Sequence, residues 1–162
     1  MDRPDHFERA AFYRAALFLG LVDGATVVRW ADDTLSRTAT VPAAFVEIAS
    51  TPPGDLTALR LALLDLCGEQ GPTRVVTAVL GLIGRHLSSG RRSLGDTMTV
   101  LKQFRGSVRL APETADALRQ FEVQFARALL TGDLTTLETR LYPWLGRYAG
   151  ADEPFLSSDR RL

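Results

Sequence analysis

Apolar residues recur at spacings of three and four along most of the chain, as they do in helices that bury one face. Valine-rich runs are short, and none reads as a strand. The pattern predicts a first helix from about Pro4 to Gly20, with Phe7, Ala11, Phe18 and Phe12, Ala16, Leu19 on adjacent stripes. Proline suits a first helical turn and glycine a left-handed end. Asp23 then caps a second helix, Gly24 to Ser36, with Val27, Trp30, Ala31 and Leu35 inward. A short third helix begins at Pro42, and Thr51-Pro52-Pro53-Gly54 breaks the chain. Asp55 caps a fourth helix with Leu56, Leu59, Leu63 and Leu66 in register, ended by Gly68.

The fifth helix, opened by Gly71-Pro72 and running to Leu87, is apolar nearly all round, which predicts a central position. Gly81 and Gly84 each disfavour it by about 0.8–1 kcal/mol against alanine. Their compensation is expected to be close approach by a neighbouring helix. Ser93 and Asp96 resemble a capping box for a sixth helix that Gly106 stops. Pro112 starts a seventh, to Leu130, with Leu118, Phe121, Val123 or Phe125, Ala128 and Leu129 as its stripe. Asp133 caps an eighth, in which Pro143 predicts a kink or break near Thr139 to Tyr142. The expectation is an all-α, compact bundle of about eight helices around the apolar helix near 72–87.

Composition sharpens this picture. The chain has 162 residues, 46% hydrophobic and 23% charged, which suits a folded chain and excludes wholesale disorder. A single helical domain is expected over 1–149, with 150–162 as a flexible C-terminal tail that Phe155 and Leu156 could anchor. Nineteen basic residues balance nineteen acidic ones, so a nucleic-acid coat or an anionic membrane surface is a poor partner. Only Lys102 among the basic residues is a lysine, which reads as coding bias rather than as a recognition device. The opening Met1-Asp2-Arg3-Pro4-Asp5 lacks an apolar core segment, and the Val75–Leu87 run is interrupted and short of the ~20 residues that span a bilayer. A soluble cytoplasmic protein is expected.

Candidate chemistry is sparse. Cys67 is the single cysteine, and His6 and His86 are the two histidines, with no paired ligand spacing. Cys67, His86 and Asp65 are the best available metal or nucleophile grouping, against which stands a thiol that closes an apolar helix. Asp32 and Asp33 diverge by about 100° on a helix and form no dyad. The chain lacks G-x-S-x-G, G-x-x-x-x-G-K-[ST] and G-x-G-x-x-G motifs. No catalytic residue, metal site or cofactor is expected.

Residues 8–36 resemble a DNA-reading helix-turn-helix, in which Arg29 and Arg37 would contact DNA. The spacing after Gly20 runs one residue late, Asp32 and Asp33 repel phosphate, and the net charge is zero. The leading reading is therefore a non-catalytic protein-interaction module, an adaptor or an immunity-type protein. Its partner is another protein or a second copy as a homodimer. Tyr142, Trp144 and Tyr148 are its candidate contacts, because aromatic residues anchor interfaces. The competing reading places Trp144 in the core.

The hairpin Leu19-Gly20-Leu21-Val22, Val27 and Trp30-Ala31-Asp32, followed by Pro42, Phe45-Val46-Glu47-Ile48, resembles a group of small bacterial proteins of unknown function. The likeness extends towards Phe121-Glu122-Val123-Gln124-Phe125-Ala126. It implies an all-helical cytoplasmic protein and carries no activity or site residue. Gly24-Ala25-Thr26 departs from the charged helix start of that group.

Overall fold

Four helix starts are fixed by side chains that satisfy otherwise orphaned backbone donors. In the computed structural model, which describes residues 4–68 and 73–157, the first is α1 (His6–Phe18). Asp5 caps it, accepting from the Glu8 amide at 2.8 Å, while Glu8 accepts in return from the Asp5 amide at 3.2 Å. Pro4 therefore stands outside the helix rather than in its first turn. Asp23 accepts from the Thr26 amide at 2.8 Å and opens α2 (Gly24–Arg37). Asp55 does the same for α4 (Leu56–Cys67), after the short α3 (Ala44–Ser50). Ser93 accepts from the Asp96 amide at 3.1 Å to start α6 (Leu94–Ser107), which follows α5 (Thr73–Ser88). The Asp96 carboxylate accepts a hydrogen bond from the Ser93 hydroxyl at 2.8 Å, so the expected box closes through side chains. The start of α5 at Gly71-Pro72 lies outside the described residues.

The protein is all-α. The described residues form nine helices, the last three being α7 (Pro112–Thr131), α8 (Thr135–Gly146) and α9 (Glu153–Leu156). Among the described residues no helix is long and apolar enough to cross a membrane. The chain groups into two compact units. The first holds α1–α4, the opening residues of α5, and α9. The second holds the remainder of α5 and α6–α8.

In the first unit α1 packs on α4, α2 on α3, and α3 on α4. Phe12, Val27, Phe45, Ile48, Leu59 and Leu63 are fully buried there. The stretch from Gly150, expected as a tail, contains the helical turn α9. Phe155 is 1% exposed and its ring lies 5.0 Å from that of Phe12, an anchor strong enough to order the turn around it. Leu56, expected in the α4 core stripe, is exposed because Leu59, Leu63 and Leu66 already fill the buried face.

In the second unit α6 packs on α7 and α7 on α8. Helix α5 is buried over most of its circumference, including Ala78, Val79, Leu80, Leu82 and Ile83. Its glycines sit where a backbone comes close. A Cβ at Gly81 would lie 2.5 Å from the Tyr148 carbonyl oxygen, and one at Gly84 would lie 3.2 Å from Leu145 Cβ. Asp152 is fully buried and paired with Arg85 at 3.0 Å.

Two expected helix breaks and one expected core stripe differ in the structure. Gly106 does not stop α6, which runs on to Ser107, because an exposed glycine in a last helical turn needs no left-handed angle. Pro143 does not break α8, which continues to Gly146. The carbonyl that loses its donor, Thr139, belongs to an exposed residue where water can replace the bond. Helix α7 buries Leu118, Phe121 and Ala128 but leaves Val123 and Leu129 outside.

The glycine contacts predict opposite outcomes for one substitution type. Gly81→Ala should destabilise by about 1–3 kcal/mol despite alanine's better helix propensity, since the Tyr148 carbonyl must move. Gly106→Ala meets open space and should be neutral or stabilising by up to about 1 kcal/mol. Urea denaturation of both variants reads the difference.

Candidate functional site

Two helical ladders of polar residues meet in the first unit. Helix α1 presents His6, Arg9 and Tyr13, and α2 presents Thr26, Arg29, Trp30, Asp33 and Arg37, all at helical spacing. With Leu156 and Ser157 they line a cavity of about 410 Å³. Trp30 is its aromatic wall, with ring centroids 5.0 Å from Tyr13 and 5.1 Å from Phe45. His6 meets Phe45 edge-on at 5.2 Å. The Trp30 indole is 6% exposed, and its Nε1 has no hydrogen-bond acceptor among the described residues.

The charged members of the lining are held differently. Arg9 is buried and donates to the Pro154 carbonyl at 3.1 Å and more loosely to that of Ser157. Arg29 is exposed and makes no side-chain hydrogen bond or ion pair among the described residues. Asp33 is half-buried and Arg37 exposed. The Tyr13 hydroxyl donates to the Phe155 carbonyl at 3.3 Å. Burial pushes the Tyr13 phenol up to about 12; Arg9 pulls the other way and Asp33 adds to the rise.

This geometry places both residues of the helix-turn-helix reading, Arg29 and Arg37, on one edge of α2. Asp33 stands one turn from each on the same edge, and Asp32 is exposed beside it. A carboxylate between two guanidinium groups weakens the attraction for a continuous phosphate backbone. Trp30, which the sequence reading kept in the core, is buried there.

The cysteine–histidine grouping falls in different units, Cys67 in the first and His86 in the second. Burial raises the Cys67 thiol above its ordinary value, and its Sγ donates to the Gly68 carbonyl at 3.2 Å. A nucleophilic thiol needs the opposite shift. Burial, aided by Arg91, Arg92 and Arg85, lowers the His86 imidazole below its ordinary value. Among the described residues no three metal-ligating side chains converge.

The three aromatic candidates lie in the second unit and are not equivalent. Trp144 is 7% exposed and packs edge-on against Phe121 at 5.4 Å and Tyr148 at 5.3 Å. Tyr148 is half-buried, and Tyr142 is exposed. On α7 the sequence stripe included Val123 or Phe125, and Leu129, yet the structure leaves Val123 and Leu129 outside. Val123, Leu129 and Leu130 are 54%, 64% and 88% exposed. Val123, Ala126 and Leu130 recur at helical spacing directly opposite the buried Leu118, Phe121 and Ala128. Apolar spacing alone does not say which side of α7 is covered.

Compared with known proteins, the chain matches no family model, no curated protein and no solved structure.

The raised Tyr13 phenol makes stability depend on alkaline pH. An unfolded tyrosine ionises near 10, so the folded state holds this proton more tightly. The stabilisation is complete below pH 10 and is lost as pH rises towards 12. Urea denaturation at stepped pH should show the fall, and Tyr13→Phe should remove that part of the slope. An unchanged slope in the variant would assign it to other groups.

Proposed function

We propose that the chain is a non-catalytic, cytoplasmic helical module that binds another protein, and that the partner meets the outer face of α7. The supporting observation is the stripe Val123, Ala126 and Leu130, with Leu129 at its border, left in solvent on a helix whose opposite face is well packed. Scattered surface leucines are ordinary, whereas a contiguous apolar stripe on one helix marks a binding surface. Tyr142 on α8 is a further exposed aromatic residue of the same unit.

The stripe suits a second copy of the chain. Val123 and Leu130 flank Ala126 almost symmetrically, so an antiparallel α7 pair sets Val123 against the other copy's Leu130. Small Ala126 then lies near the crossing, where helices approach closest. A two-fold contact of this kind uses the same patch on both chains, and no complementary surface is needed elsewhere.

Sedimentation equilibrium over a wide concentration range tests this reading. The wild-type chain should form a dimer that Leu130→Glu weakens at least about tenfold, consistent with loss of an interface anchor. The double variant Val123→Lys, Leu130→Glu should regain part of the association, because the antiparallel register brings the lysine to the glutamate. Both variants should keep wild-type stability within about 0.5 kcal/mol, since both positions are exposed. A wild-type chain that stays monomeric throughout would refute self-association, and a Leu130→Glu chain that dimerises as tightly would refute α7 as the interface.

A further inference from the structure

The cavity of the first unit has a chemistry that an interaction surface on α7 does not use. Its walls carry the guanidinium groups of Arg9 and Arg29, the His6 imidazole, and the Trp30 indole. The Trp30 Nε1 is buried without an acceptor, which leaves an unmade hydrogen bond in a place where such bonds are normally completed. Arg29 stands exposed at the rim without a side-chain bond or ion pair among the described residues. Arg9 is held at the wall by hydrogen bonds to the Pro154 and Ser157 carbonyls. The volume of about 410 Å³ lies within the range of small-molecule sites, roughly 300–1,000 Å³.

We propose that this cavity binds a small organic molecule through an oxyanion, with Arg29 gripping the charge and Trp30 Nε1 donating to one of its acceptor atoms. An arginine fork matches the paired oxygens of a carboxylate or a phosphate. The aromatic wall of Trp30 and Tyr13 suits a flat or apolar body attached to that group. Asp33 on the same edge of α2 disfavours long polyanions and accepts a compact ligand that bears a donor beside its oxyanion.

The chain has two tryptophans, so Trp144→Phe leaves Trp30 as the sole indole reporter. Its emission is followed at constant ionic strength against inorganic phosphate, phenyl phosphate, benzoate and neutral benzyl alcohol. Saturable change with phosphate probes, with benzoate, or with both supports the site and tells which oxyanion it takes. Arg29→Gln should then weaken binding about tenfold or more, as expected for a lost charge-assisted bond. Trp30→Phe, followed by calorimetry, should also weaken it, while Arg147→Gln on the second unit should not. The proposal is overturned if no probe saturates, if benzyl alcohol acts as well as the anions, or if Arg29→Gln binds undiminished.

Discussion

Close backbone approach at two glycines organises the second unit. Helix α5 has no side chain at Gly81 or Gly84, and the Tyr148 carbonyl and the Leu145 side chain occupy that space. The segment that follows α8 therefore lies directly on α5. That placement buries Asp152 completely and brings it to Arg85, a pair whose charge is tolerable inside only because it is matched. It also sets Trp144 between Phe121 and Tyr148, so the core of α7 and α8 follows from the same contact.

The first unit is organised by rings. Phe12, Tyr13, Trp30, Phe45 and Phe155 form a continuous series from α1, α2, α3 and α9, with centroids 5.0–5.5 Å apart. Tilted and edge-on geometry lets large side chains from four helices meet. The series ends at buried Phe155 and Phe45, and its middle members Tyr13 and Trp30 line the cavity. The same packing that stabilises the unit thus presents an indole, a phenol and several cations to one concavity.

These two features divide the chemistry of the protein. The α7 stripe is apolar and exposed. The cavity is lined by polar and basic side chains with one aromatic wall. Neither involves Cys67, whose thiol burial raises above its ordinary value, nor His86, whose imidazole burial lowers.

The sequence by itself determined the helices, because capping and periodicity are local. Asp23, Asp55 and Ser93 announced their helix starts through residues three positions away, and apolar spacing announced the buried length of α5. It also determined that Gly81 and Gly84 needed a close neighbour. The tertiary structure alone decided which face each neighbour covers. Val123 and Leu129 share an apolar pattern with Leu118 and Phe121, and only the packing of α6 and α8 on α7 leaves one set outside. In the same way His6, Arg9, Arg29 and Trp30 are ordinary positions on two separate helices until the fold turns those helices towards one cavity. Helical period fixes which residues of one element share a side; burial depends on what arrives from distant parts of the chain, and no local spacing encodes that.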